Sequence, residues 1–425
     1  SLLIWSRVKH VEENEKCTRY IFLKLYKSKP AIDSLINEEG KEVKSTQEIL
    51  KVVYSFYINL YKEQSIDEAI VESFISKLTQ KLDPEDGINL DEGITLEKIT
   101  RAMESMQDIK SPGMDGLPKK YYQAFWEQLS PSLCKVYKEA WDKGVWSTSM
   151  NTGVISLLWK RGSKKDLRNW RPLTLLGVDI KILAKALFFR LQTVVPKLVG
   201  VEQTCGIQGR KMTDSLVIIR DSYLYSHERN IPLCGLSLDL EKAFDNVSHA
   251  FLMKVLDKLG FGEVFQRWIE VLYSGCSSVV NVNGVQTTTV AVKAGVRQGC
   301  PLSPTLFILV MEPLACALRA NELIKGLTPP GSGGLEIKFS MYMDDITLLL
   351  TDNKSIEVSL AVCEAFSAAS GMKMNKEKSE VIYFKWRKIK EKWGLQEKSE
   401  TLKILGVEIG ENMRIKNWNS KLQKI

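Results

Sequence analysis

The amino-acid sequence predicts an α+β fold with a mostly antiparallel central sheet. Strands and helices interleave without a regular β-α repeat, and two segments, 277–292 and 335–350, read as hairpins. A doubly wound parallel sheet requires the β-α alternation that this chain lacks. No internal repeat is visible.

Residues 1–80 read as helical and mixed. EILKVVYSFYINLYKEQ (48–64) spaces its apolar side chains three to four apart, and NEEGKEV (37–43) reads as a turn between short strands. SPGMDGLP (111–118) is a loop, followed by an amphipathic helix through KKYYQAFWEQL. WSTSMNTGVISLLWK ends in a strand whose apolar run is Val154, Ile155, Leu157 and Leu158. Over 179–197, Ile182, Leu183, Ala186, Leu187, Leu191 and Val194 share one helical face. LCGLSLDL (233–240) reads as a strand, and HAFLMKVLDKLGF (249–261) as a helix stopped at Gly260. SSVVNVNGVQTTTVAV (277–292) alternates about Asn283-Gly284, the strongest short hairpin signal in the chain. Ser303 and Pro304 mark a helix start as N-cap and first position, with a kink expected at Pro313. Beyond PPGSGG (329–334) come the hairpin LEIKFSMYMDDITLLL (335–350), a helix (355–370), a strand (379–385) and KILGVEIG (403–410).

With 425 residues, 44% apolar and 26% charged, the chain is a globular protein long enough for two or three packed units. The apolar run TLFILVM (305–311) is far shorter than the ~18 residues a membrane helix needs, and no membrane partner is expected. The eight cysteines include no CxxC pair and only three histidines accompany them, which disfavours zinc and suits a reduced, intracellular protein. SLLIWSR opens the chain without an initiator Met or a signal-peptide body, as expected of a piece excised from something longer. Net charge is +8, unevenly spread. Residues 154–190 hold nine basic groups against Asp166 and Asp179, the tail from 371 has fourteen basic and seven acidic residues, and 62–110 is acidic. Charge runs are often solvated faces. Here Lys164, Arg168 and Arg171 flank a loop beside apolar strands, where a polyanion would gain from counterion release.

Two acidic clusters interrupt apolar strands. SLDLEKAFD (237–245) puts Asp239 at a strand end, and YMDD (342–345) puts Asp344 and Asp345 at a hairpin tip. Asp at such a tip is commonly a turn former, since it tolerates positive φ and makes Asx turns. The other reading takes the clusters together: if strand 235–240 lies beside the 335–350 hairpin, Asp239 and Asp344 converge. Two hard carboxylates with no imidazole or thiolate nearby form a Mg²⁺-type site. A pair of such ions activates an attacking hydroxyl and stabilises a leaving pyrophosphate. His10, His227 and His249 lie in polar helical contexts and read as surface or capping groups.

SLDLEKAFD, GVRQGCPLSPTLFILVMEPL (295–314), YMDD, SGMKMNKEKSE (370–380) and ILGVEIG (404–410), in that order, resemble the palm motifs of a reverse transcriptase. KSPGMDGLP (110–118), NWRPLTLLGVDIKILAKAL (169–187) and CGIQGRK (205–211) are similar to the finger motifs of LINE-type (non-long-terminal-repeat) retrotransposon enzymes. ENEKCTRYIF (13–22) and GKEVKSTQEILKVVYSFYINLY (40–61) are similar to the N-terminal extension of that group. YMDD alone is a weak signal; the ordered series is a specific one.

The resemblance implies a right-hand polymerase with an antiparallel-sheet palm and mixed helical and strand fingers. Its parts would be an N-terminal extension (1–90), fingers (91–234), palm (235–258), a return to the fingers (259–294), palm again (295–413) and the start of a truncated thumb (414–425). The implied activity is RNA-directed DNA synthesis from a DNA primer by two-metal nucleotidyl transfer, in target-primed reverse transcription. Asp239, Asp344 and the main-chain carbonyl of Leu240 would hold two Mg²⁺ ions, for which Mn²⁺ can substitute. Asp345 would stand beside them, and Lys378 would protonate the leaving pyrophosphate. Phe244 falls at the steric-gate position, where an aromatic wall rejects a ribose 2′-OH; on periodicity alone it reads as a core aromatic. Gln298 and Gly299 fall where the family packs nucleotide and template. Arg171 matches the arginine that clamps the triphosphate, with Lys164 as a second clamp. Lys160, Arg161, Lys165, Tyr342 and Met343 would contact nucleic acid. The implied partners are template RNA, primer DNA, dNTPs, and endonuclease and thumb segments of one longer polypeptide, in a ribonucleoprotein of nucleus and cytoplasm.

Met343 stands where Ala is more frequent in LINE-type enzymes, and Gln208 and Trp159 stand where Pro is usual. None of these removes a catalytic group. Two other readings remain: another palm-type polymerase, against which Phe244 argues where the product is RNA, and a catalytically silent nucleic-acid-binding module, against which the retained Asp239, Asp344 and Asp345 argue.

Overall fold

The computed structural model describes residues 31–386 and 393–422. The 13–22 motif, His10 and Cys17 lie outside the described residues. The chain divides into two units. The first takes in residues up to Gln64, Leu82–Val194 and Phe244–Leu306; the second takes in Ser65–Lys81, Val195–Ala243 and the chain from Phe307 onward.

The first unit is built on a five-stranded sheet. Trp170–Leu175 pairs antiparallel with Thr152–Trp159, which runs parallel to Ser277–Val282. Val285–Gln286 turns back from that strand, and Val290–Ala291 pairs with its opening residues. The turn is the expected one: Asn283 and Gly284 both have positive φ (52° and 94°), the geometry that matches the right-handed strand twist. Ile155, Leu157, Trp170, Val280 and Val282 pack on Ile49, Val53 and Tyr57 from the helix Thr46–Leu60. The predicted helix through KKYYQAFWEQL is in fact two helices, Lys119–Ala124 and Trp126–Lys143, parted at Phe125, whose φ and ψ of −119° and 25° leave the helical basin. A one-residue break of this kind leaves the 3.6-residue periodicity intact.

The second unit carries a five-stranded sheet in the order Phe339–Tyr342, Asp345–Leu350, Leu233–Leu238, Glu380–Phe384, Gln396–Lys398. Its pairs are antiparallel except the last. The central Leu233–Leu238 is buried almost throughout, as befits a strand covered on both faces. One face packs on the helix Met212–Arg229 and the hairpin Thr401–Ile404/Val407–Gly410, through Ile219, Tyr223, Leu233, Leu349, Ile382, Leu402 and Ile409. The helix Asn353–Ser370, capped by the Asp352 side chain and ended by Gly371 at φ 81°, meets the short helix Glu68–Ile75 through Phe366 and Phe74, 5.3 Å apart.

The helix Ser303–Ala320 takes Ser303 as its first residue rather than its N-cap and continues past Pro313. It is 18 residues long with mean hydropathy 1.3, enough by length and composition alone to cross a membrane, and 83% of it is buried within the fold like a core helix. The apolar stretch is therefore longer than the TLFILVM run suggests.

Candidate functional site

In the second unit, Leu233–Leu238 pairs with Asp345–Leu350 in a register that sets Leu238 opposite Ile346. The next residues along, Asp239 and Asp345, therefore stand at the same end of two strands about 4.8 Å apart, with Asp344 beside them. Asp239 marks a change of partner: beyond it, Leu240–Glu241 leaves the sheet to pair with Lys373–Met374. Its main chain is tied on both sides, its N–H donating to Ser379 Oγ (3.1 Å) and its C=O accepting from Asn375 N–H (2.8 Å). Asp239 and Asp344 are half-buried and Asp345 is exposed.

The hairpin tip is not built as a turn-forming Asp would build it. The positive φ falls on Met343 (59°), not on either aspartate, so left-handed backbone gives no reason for the two acids.

The turn that ties Asp239 also carries Lys378. Its N–H donates to Asn375 Oδ1 (3.2 Å), Ser379 Oγ donates to Asn375 C=O (2.8 Å), and the Lys378 side chain is exposed. The fold thus brings Lys378 to the Asp239 segment. Among the described residues no three His, Cys, Asp or Glu side chains form a metal-holding group. A cation here would rely on two carboxylates, a main-chain oxygen, and water or phosphate. That all-oxygen donor set, with few protein ligands, fits Mg²⁺.

The first unit gathers the other candidates. Arg171 lies in Trp170–Leu175 opposite Leu158, half-buried, and among the described residues its guanidinium has no hydrogen bond or ion pair. One residue past that strand's centre, Thr174 N–H donates to Gln298 C=O (2.8 Å). Gln298 Nε2 donates to Asp245 Oδ2 (3.2 Å), and Tyr61 O–H donates to Asp245 Oδ1 (3.2 Å). Burial, reinforced by the Asp245 charge, pushes the Tyr61 phenol well above its usual range, so it stays a donor. Phe244 is 6% exposed, on the short turn Ala243–Asp245, and its C=O accepts from Val296 N–H (2.7 Å). Gly295, at φ 89°, passes so close that a Cβ there would lie 2.7 Å from the Asp245 carbonyl oxygen. Gly299 has φ 113°, a conformation that favours glycine.

The basic loop is partly self-neutralised. Lys165 pairs with Glu42 (2.9 Å) and Arg168 with Asp166 (2.9 Å), while Lys164 lies over the Trp159 ring (5.4 Å). Lys160 and Arg161 are exposed, as are Lys164 and Lys165. Tyr342 and Met343, expected to touch nucleic acid, are buried at 4% and 7% exposure. His249 departs from a surface role. Its Nε2 is 2.9 Å from the Gly295 carbonyl oxygen, its ring packs on Tyr273, and burial lowers its pKa, so as the neutral ring it braces the segment leading to Gln298.

Asp245 and Tyr61 escaped sequence reasoning. Asp245 ends SLDLEKAFD, but nothing in that string says its carboxylate is 3% exposed and shared by two donors from distant segments.

Residues 162–409 match the reverse transcriptase (RNA-dependent DNA polymerase) family, and the chain belongs to it. That family has a palm-type polymerase fold. The relatives are proteins of non-long-terminal-repeat elements. The chain is 34% identical over 348 residues to the Transposon TX1 uncharacterized 149 kDa protein of Xenopus laevis, covering 82% of this chain and 26% of that protein. It is 32% identical over 238 residues to a retrovirus-related Pol polyprotein from the type-1 retrotransposable element R2 of Popillia japonica, covering 55% of this chain and 32% of that one. With the RNA-directed DNA polymerase from mobile element jockey of Drosophila funebris it shares 24% identity over 283 residues, 65% of this chain and 29% of that one. The chain thus spans about a quarter to a third of the length of these relatives.

Proposed function

We propose that this chain holds the RNA-directed DNA polymerase centre of a LINE-type retrotransposon protein and extends a DNA primer with dNTPs on an RNA template. The strand register that sets Asp239 beside Asp345 and Asp344 carries the reading, because it joins two acidic clusters a hundred residues apart in sequence at one end of the sheet. Asp239, Asp344 and the Leu240 main-chain oxygen would hold two Mg²⁺ ions, or Mn²⁺ in their place, which when bound supply the positive charge that activates the primer hydroxyl and stabilises the leaving pyrophosphate. The bonds to Ser379 and Asn375 would hold the Asp239 main chain in place for that role. Lys378, on the same turn, would give its proton to a pyrophosphate oxygen. In the first unit, the fork of Arg171, without a hydrogen bond or ion pair among the described residues, suits bidentate contact with a phosphate. Gln298 and Gly299 would line the nucleotide's place, and Phe244 would close it with a wall that excludes a 2′-OH.

The same proposal divides the chain into extension, fingers, palm and thumb. Target-primed initiation, the endonuclease and thumb segments of a longer polypeptide, and the intracellular ribonucleoprotein belong to it as well. Extension of a DNA primer on an RNA template with Mg²⁺ and dNTPs tests the activity. RNA binding without extension would leave the silent binding module instead.

Two further outcomes are expected. Phe244→Val should raise rNTP relative to dNTP incorporation, since it removes the ring without touching a carboxylate; an unchanged ratio would make Phe244 a core aromatic only. RNA affinity should fall steeply with salt, with a log–log slope of roughly −0.7 per neutralised phosphate on single strands. Neutralising Lys164 should flatten that slope more than neutralising Lys165, whose ammonium is already paired with Glu42. A slope equal to the wild-type value in both variants would rule the loop out as a phosphate-contacting surface.

A further inference from the structure

Met343 occupies a two-residue hairpin tip between the paired Tyr342 and Asp345, in the left-handed region at φ 59°. A residue with a Cβ stays there only when its surroundings hold it. The holding group is Gln203, whose side chain brackets the Met343 main chain. Its Oε1 accepts the Met343 N–H (3.0 Å) and its Nε2 donates to the Met343 C=O (3.3 Å). Gln203 is 2% exposed, and Oε1 also accepts the Cys205 N–H (3.1 Å).

Gln203 is itself fixed. Its segment runs parallel to the first hairpin strand in a bridge to Met341, with Met341 N–H donating to Glu202 C=O (2.8 Å) and Thr204 N–H to Met341 C=O (3.0 Å). Arg210 Nη1 donates to Gln203 C=O (2.8 Å), and its Nη2 donates to Val199 C=O (2.9 Å). The hydroxyls of Thr204, Ser215 and Ser340 form a further chain between the same segments (2.7 and 2.8 Å). All of these residues belong to the second unit.

We propose that Gln203 is a positioning residue for polymerisation: by holding both polar groups of Met343, it sets where the next residue, Asp344, presents its carboxylate. The inference rests on the reading of Asp344 as a metal-holding group. The clamp touches only main-chain atoms of residue 343, so it is indifferent to the side chain there and works with Met as with Ala. Without the amide, a buried N–H and C=O lose their partners and the left-handed residue loses its support. The tip then relaxes and Asp344 shifts. Displacements of about 1 Å in a reacting constellation cost up to roughly a hundredfold in rate.

The test compares Gln203→Met, which keeps the volume without the amide, with Gln203→Glu, which keeps the length and the acceptor oxygen. Asp344→Asn serves as control. Gln203→Met should extend primers at least about tenfold more slowly at saturating dNTP, with the KM for dNTP little changed. Its Met343 amide should exchange hydrogen faster while the amides of Asp345–Leu350 stay protected, and Mn²⁺ titration of the protein alone should show weaker binding. Gln203→Glu should recover part of the rate. A folded Gln203→Met with wild-type maximal rate, or with exchange accelerated along the whole strand, would overturn the proposal. If Gln203→Met does not melt cooperatively, Gln203→Glu decides: a reduced maximal rate at unchanged KM supports the clamp, and a wild-type rate rejects it. Inactive Asp344→Asn beside unimpaired Gln203→Met would fault the positioning alone. Active Asp344→Asn would fault the reading of Asp344, and the clamp's purpose with it.

Discussion

Replacing either Asp239 or Asp344 by Ala should lower primer extension on an RNA template by at least about a thousandfold. Loss of several kcal/mol of transition-state charge stabilisation has that effect on rate, at tenfold per 1.36 kcal/mol. Each acid is irreplaceable by the other because the register places them on different strands, with Asp239 tied through its main chain and Asp344 at the tip. Asp345, exposed at the start of its strand, is less well placed to substitute. RNA binding by both variants should stay near wild type, since basic surface rather than metal supplies most of that affinity. Neither side chain is buried in the apolar core, so melting temperatures should hold. Extension near the wild-type rate in either variant would remove the metal assignment.

Arg171 is expected to have the next largest effect. Arg171→Ala should raise the apparent KM for dNTP and slow extension by roughly ten- to a hundredfold together, the worth of one charge-assisted contact of about 1.5–3 kcal/mol. Arg171→Lys should rescue only in part, because a point charge cannot reproduce the planar fork. The opposing account, in which Arg171 anchors its strand to a carboxylate, finds no such partner among the described residues. Melting temperature and template–primer affinity should therefore change little. A dNTP titration run beside a thermal melt decides. A fall in melting temperature and template binding, with no dependence on dNTP concentration, would make Arg171 a strut.

Much of this architecture is legible in the sequence, wherever the signal is local. Asn283-Gly284 announces a hairpin because few residues besides Gly and Asn adopt positive φ cheaply, and the structure has the turn there. The helix Val178–Leu198 follows from its one-sided apolar spacing. The helix Met212–Arg229 was not legible, because its buried face includes Ser215, Ser222 and Ser226, which carry no apolar signal and are accommodated by packing or by hydrogen bonds to other segments. The turn on which Asp reads as a natural former places the positive φ on Met343 instead, where Gln203, 140 residues away in sequence, hydrogen-bonds its main chain.

The sequence by itself determined the family, the two acidic clusters and the residue types around them, since ordered motifs and carboxylate chemistry are properties of the chain read in one dimension. Only the tertiary structure decided which of these groups work on one another. Strand register brought Asp239 to the end of the sheet where Asp344 and Asp345 stand, and a serine and an asparagine from the Lys378 turn tied it there. Folding likewise gave Gln298 and Tyr61 a common acceptor in Asp245, paired Lys165 with Glu42 while leaving Arg171 unpaired among the described residues, and set Gln203 against Met343. The physical reason is that hydrogen bonds and ion pairs act over about 3 Å, and which residues come within that reach is set by packing and register rather than by spacing along the chain.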